Sequence, residues 1–161
     1  MKDFDIIVIG GGHAGIEAAS AAARMGLSVA LITMDLNKIG LMSCNPAIGG
    51  LAKGQLVREI DALGGEMGKI IDMSGIHFKM LNKSKGPAVW SPRAQADRKY
   101  YAKVAQERLY RLGNLKLIKG SVNDLIIKSN KIKGVCLENG EKSFSRFIKE
   151  IIGTRIERFH I

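Results

Sequence analysis

Four β-branched residues, Ile6-Ile7-Val8-Ile9, run directly into Gly10-Gly11-Gly12-His13-Ala14-Gly15 and then into an alanine-rich stretch from Glu17 to Met25. That order reads as a buried strand, a glycine turn and a helix start. Gly10, Gly12 and Gly15 fill the slots of G-x-G-x-x-G. The first permits a tight turn, the second lets the backbone approach a pyrophosphate, and the third lets the helix lie close on the strand. A helix opening near Ala14 presents uncompensated N–H groups and a partial positive charge to that pyrophosphate. Ala18, Ala19, Ala21, Ala22 and Ala23 carry little bulk and suit a helix packed on a sheet. Gly26 ends the helix, and Leu27 to Thr33 reads as the next parallel strand. The constellation points to a dinucleotide-binding α/β domain, against a plain glycine turn between strand and helix.

A chain of 161 residues fits one domain with a real core. No apolar run approaches the roughly 20 residues of a membrane span, and Lys2, Asp3 and Asp5 do not open a signal peptide. Cys44 and Cys136 form no C-x-x-C pair and fit a reducing cytoplasm. The net charge of +10 fits a polyanionic partner such as nucleic acid, and equally a solvated basic surface.

Further along, Met34 to Gly50 is a long irregular stretch, of the kind that usually carries function. Leu51–Leu63 has helical spacing, Ile76–Leu81 reads as a short strand, and Arg93 to Arg111 reads as an amphipathic helix. Leu115–Lys119 is a strand. Ser121–Lys128, Ile132–Glu138 and a weaker strand around Lys142–Phe147 form an antiparallel meander, with Asn139-Gly140 a strong hairpin turn. A β-meander at this point, in place of further alternating β and α elements, favours FAD over NAD as the dinucleotide.

Three groups of residues could carry chemistry. Thr33 stands where an acidic residue usually ends the second strand and holds the adenosine ribose; Asp35 lies two residues beyond. Cys44 lies in Ser43-Cys44-Asn45-Pro46-Ala47-Ile48-Gly49-Gly50, a rigid loop leading to a helix start beside Lys53, a setting that favours a thiolate; a small buried residue in a tight loop is the competing reading. Lys79, Lys83, Lys85, Arg93, Arg98 and Lys99 crowd one stretch around Trp90, with Asp97 as its single acid. Cations with an interleaved aromatic suit a phosphate backbone and a stacked base, or form a solvated face with Trp90 on the core. No metal-ligand spacing, Ser-His-Asp pattern or carboxylate pair is visible.

Gly10–Gly15, Ser43–Gly50, Glu59-Ile60-Asp61-Ala62-Leu63-Gly64-Gly65, Ser84-Lys85-Gly86-Pro87-Ala88-Val89 and Arg93-Ala94-Gln95-Ala96-Asp97-Arg98 occur in order. Together they resemble the N-terminal part of the tRNA uridine 5-carboxymethylaminomethyl modification flavoproteins, the MnmG or GidA family, over residues 4–142. The resemblance implies a Rossmann-like FAD-binding domain, with a parallel sheet, flanking helices and an antiparallel β-meander. It implies non-covalent FAD, NADH as reductant and methylenetetrahydrofolate as one-carbon donor. The substrate would be tRNA, modified at carbon 5 of wobble uridine 34, with a GTPase partner and a homodimeric assembly in the cytoplasm.

By the same resemblance, Gly10, Gly11, Gly12, His13, Ala14 and Gly15 hold the FAD pyrophosphate, Thr33 fits a family that lacks the usual acid, and the Val122 backbone meets the adenine. Cys44 matches a catalytic cysteine. From the basic stretch around Trp90, and not from the resemblance, Lys83, Lys85, Arg93 and Arg98 are the candidate tRNA contacts. Family members are roughly four times as long, so the resemblance implies an incomplete copy: an FAD-binding domain over 1–143 and a divergent tail over 144–161. In that tail Lys149-Glu150 interrupt the family's apolar return strand. The expectation is a missing return strand, an exposed sheet edge, weak or absent FAD binding and no catalysis by this chain alone. A generic FAD-dependent oxidoreductase would differ in ignoring tRNA, and an inactive tRNA- or flavin-binding fragment would lack turnover.

Overall fold

The computed structural model describes residues 2–43 and 45–150. In chain order the elements are β1 (Lys2–Ile9), α1 (His13–Arg24), β2 (Val29–Thr33), β3 (Ala47–Gly49), α2 (Lys53–Ala62), α3 (Met67–Ser74) and β4 (Gly75–Leu81). They continue with β5 (Ser91–Ala96), α4 (Arg98–Tyr110), β6 (Leu115–Lys119), β7 (Val122–Lys128), β8 (Lys131–Leu137) and β9 (Lys142–Glu150). The chain divides into two compact units, one built up to Ile39 and again from Leu109 onward, the other from Gly40 to Arg108.

The first unit is a six-stranded sheet in the order β6-β2-β1-β9-β8-β7. The strands β6, β2, β1 and β9 run parallel, and β8 and β7 continue antiparallel beyond β9. Both faces of the parallel part are covered, which is why β1 and β2 read as continuous apolar runs and not as alternating ones. On one face Ile7, Ala30, Ile32, Val135 and Leu137 form a buried cluster, with Phe4, Ile118, Val122, Leu125 and Ile148 packed against it. On the other, α1 packs on β1 and β2, burying Ile16, Ala19 and Ala23. Asn114 ties the far end of this layer together: its side-chain amide donates to the carbonyls of Ala23 and Leu27 at 2.8 Å each, and its own carbonyl accepts from Val29 N at 2.9 Å.

The return strand expected to be missing is present. β9 serves twice, as the third strand of the meander through Gly134↔Phe144 and Cys136↔Lys142, and as the parallel neighbour of β1 through Lys2↔Ser143 to Ile9↔Glu150. No edge is therefore left beside β1. Lys149 and Glu150 do not break the strand, because they fall at its last two positions, in register with Val8 and Ile9. Residue 143, the sequence-based domain limit, lies inside this strand.

The second unit holds a three-stranded antiparallel sheet, β3-β5-β4, with α2, α3 and the greater part of α4. Here the sequence reading needs two corrections. The helix expected from Arg93 begins only at Arg98, because residues 91–96 pair with β4 and residues 93–95 also with β3. Asp97 sets the boundary: its carboxylate accepts from Lys99 N at 2.9 Å and Tyr100 N at 2.8 Å, an N-cap arrangement. The second correction is α3, which the sequence reading does not contain. In α2 the apolar Leu56 is 56% exposed and Leu63, its C-cap, 86%; Gly54 is the helix's buried residue.

Ile7 is wholly buried at the centre of the first unit. Ile7→Ala should cost about 2–5 kcal/mol of stability, the range for deleting a large aliphatic side chain from a packed core. Urea denaturation read by circular dichroism measures it.

Candidate dinucleotide site

The glycines between β1 and α1 meet three different constraints. Gly10 has φ 109° and donates its N–H to the Ile32 carbonyl at 2.8 Å, a conformation that L side chains avoid. A Cβ on Gly15 would lie 1.9 Å from the Gly10 carbonyl oxygen, so only glycine lets α1 sit this close to the strand end. Gly12 meets neither demand. It has φ −75° and ψ −179°, and a Cβ there would touch nothing within 4 Å.

Gly12 is also the N-cap of α1. It supplies no side-chain cap, and the first helical turn contains no acidic residue. Open space over a helix N-terminus free of negative charge is what the diphosphate of a dinucleotide requires. The residues present therefore fit such a group, with the Gly12 cradle as the deciding feature.

The remaining dinucleotide-side candidates belong to the same unit. Thr33 ends β2 with its hydroxyl against the glycine turn: a Cβ on Gly11 would be 3.3 Å from Thr33 Oγ1 and 2.8 Å from Ile39 Cγ1. Gly120 N donates to the Thr33 carbonyl at 2.9 Å, which holds the turn before Val122 against the end of β2. Val122 opens β7, half-buried on the core cluster. Thr33 and Gly120 lie at the carboxyl ends of the parallel strands β2 and β6, where open α/β sheets take their ligands. Asp35, the acid nearest the ribose slot in sequence, is engaged elsewhere: it accepts from Asn37 N at 3.0 Å and pairs with Lys38 at 3.8 Å.

The second unit carries the candidate tRNA contacts. Lys83 and Lys85 lie on a short 3-10 turn, and Trp90 Nε1 donates to the Lys83 carbonyl at 3.3 Å. Trp90 is 44% exposed, so its ring is not a core residue. Arg93, in β5, donates to Asn45 Oδ1 at 3.3 Å and lines a cavity of about 410 Å³ walled by Ile48, Val57, Phe78 and Met80. Arg98 opens α4. The strand position of Arg93 was the part hidden from sequence reasoning; a proline-containing segment gives little strand signal. Cys44 lies outside the described residues.

His13 begins α1, and burial lowers its pKa from the usual 6.5, partly opposed by Glu17. The neutral imidazole is thus favoured in the folded state. Stability from this residue is complete above the unfolded pKa and declines as pH falls below 6.5 toward the lower folded value. His13→Gln should flatten that part of the pH profile, measured as melting temperature against pH.

The family model described as glucose inhibited division protein A matches residues 5–156. The tRNA uridine 5-carboxymethylaminomethyl modification enzyme MnmG of Protochlamydia amoebophila is 58% identical over 137 residues, 85% of this chain and 22% of that protein. The enzyme of the same name from Borrelia garinii subsp. bavariensis is 58% identical over 154 residues, 94% of this chain and 25% of that one. The form I crystal structure of Aquifex aeolicus GidA superposes with a TM-score of 0.92 at 54% identity, covering 95% of this chain and 26% of its own. The chain spans about a quarter of the length of the relatives it matches. With that family model matched over nearly the whole chain, the chain belongs to the glucose inhibited division protein A family.

Proposed function

We propose that the first unit binds FAD. The diphosphate would rest on Gly10, Gly11, Gly12, His13, Ala14 and Gly15, the adenosine ribose on Thr33, and the adenine on the Val122 backbone. The observation that carries this reading is Gly12, a glycine with no conformational or packing reason to be one, over a helix N-terminus with no acid in its first turn. Bound FAD supplies reversible hydride and electron transfer. The chain's own contribution is to fix the cofactor's adenosine half through dipoles and backbone N–H groups, without a charged side chain in the turn.

The family relationship supports a wider reading. In it the chain takes part in carbon-5 modification of wobble uridine 34 in tRNA, with NADH as reductant and methylenetetrahydrofolate as one-carbon donor. Cys44 is the proposed nucleophile, and Lys83, Lys85, Arg93 and Arg98 are the proposed phosphate contacts. A GTPase partner, a homodimeric assembly and a cytoplasmic site of action belong to the same proposal. Among the described residues no helix is long and apolar enough to cross a membrane.

Gly12→Asp tests the cofactor reading cleanly, because the position has room for a side chain and an ordinary φ. The variant should fold as the parent does and bind FAD at least about tenfold more weakly, since a carboxylate then faces the diphosphate. Quenching of flavin fluorescence gives the affinities, and circular dichroism gives the fold. Equal affinity in the two proteins would remove the diphosphate from this turn.

A further inference from the structure

We infer that Lys119 is a further cofactor-binding residue, and that it sets the specificity of the ribose end: the site accepts an adenine dinucleotide carrying a 2′-phosphate. The inference rests on the dinucleotide reading above and concerns its adenosine half. Thr33 and Lys119 are in-register partners on adjacent parallel strands. Side chains alternate across a sheet and neighbouring strands lie roughly 4.8 Å apart, so the two project side by side from one face. The Gly120 N–H bond to the Thr33 carbonyl, 2.9 Å, fixes that register at the very end of the pair. Lys119 is exposed there, at the edge strand of the sheet.

The charge at this corner is the reverse of the common arrangement. A carboxylate ending the second strand accepts from the ribose 2′- and 3′-hydroxyls and repels a phosphate on the 2′ position; a cation in its place accommodates one. Here Thr33 offers a neutral hydroxyl. Asp35 is held by Asn37 N and Lys38, and the first turn of α1 has no acid. Lys119 is then the charged group on the face that Thr33 shares with its strand neighbour, and its ammonium can donate to a hydroxyl or pair with a phosphate.

The test uses the 161-residue chain with three probes: FAD, adenosine diphosphate ribose, and adenosine diphosphate ribose bearing a 2′-phosphate. Binding is measured by calorimetry and by displacement of FAD. The two ribose probes should bind the parent within about threefold of each other. In Lys119→Glu the phosphorylated probe should fall at least about tenfold behind the plain one. Lys119→Gln should lie between the two. A parent that rejects the phosphorylated probe by more than about thirtyfold, or an identical probe ratio in parent and Lys119→Glu, overturns the role of Lys119 and leaves the FAD reading standing. Failure of all three probes to bind removes both.

Discussion

The contact between α1 and the end of β1 is the constraint on which the first unit depends. Gly15 leaves no room for even a methyl group against the Gly10 carbonyl. Because the helix can approach that closely, its N-terminus is held at the carboxyl edge of the sheet, where β2 and β6 also end. A bulkier residue would force the helix outward and carry its dipole away from the turn. The low bulk of Ala19 and Ala23, both buried, continues the same close packing along the helix.

The sheet's other half depends on β9. A strand that belongs to the meander at its start and to the parallel sheet along its length lets one cluster of side chains serve both: Val135 and Leu137 from β8 pack with Ile7 and Ile32 from β1 and β2. Burying each such aliphatic group stabilises the fold by about 1.5–3 kcal/mol. The site end of the sheet and the meander are for this reason one packing unit, and a change in β8 is felt at the strands that carry the glycine turn.

The glycine turn was legible because its constraints are local: a β-branched run, three spaced glycines and an alanine-rich helix each leave their mark within a few residues. The meander was legible through Asn139-Gly140 and alternating apolar residues. What escaped the sequence is what long-range pairing decides. Residues 93–96 read as helical beside Tyr101 and Leu109, yet β3 and β4 capture them within β5, and Asp97 separates the two structures. Lys149-Glu150 read as an interruption because charge in an apolar run is unusual; strand pairing nonetheless continues through both, beside Val8 and Ile9. Lys119 gave no signal of its own, since an isolated lysine at a strand end gains meaning only when the neighbour across the ladder is known to be Thr33.

The double use of β9 has a consequence for biosynthesis. β1 emerges from the ribosome before the other strands of its sheet and can pair with β2 almost at once, but its second partner, β9, begins only at Lys142. At about 5–20 residues per second the delay is on the order of ten seconds. Throughout that interval Ile6-Ile7-Val8-Ile9 presents an unpaired, apolar strand edge, the kind of surface that recruits the wrong neighbour. A nascent chain of this design gains from whatever shields β1 until β9 arrives.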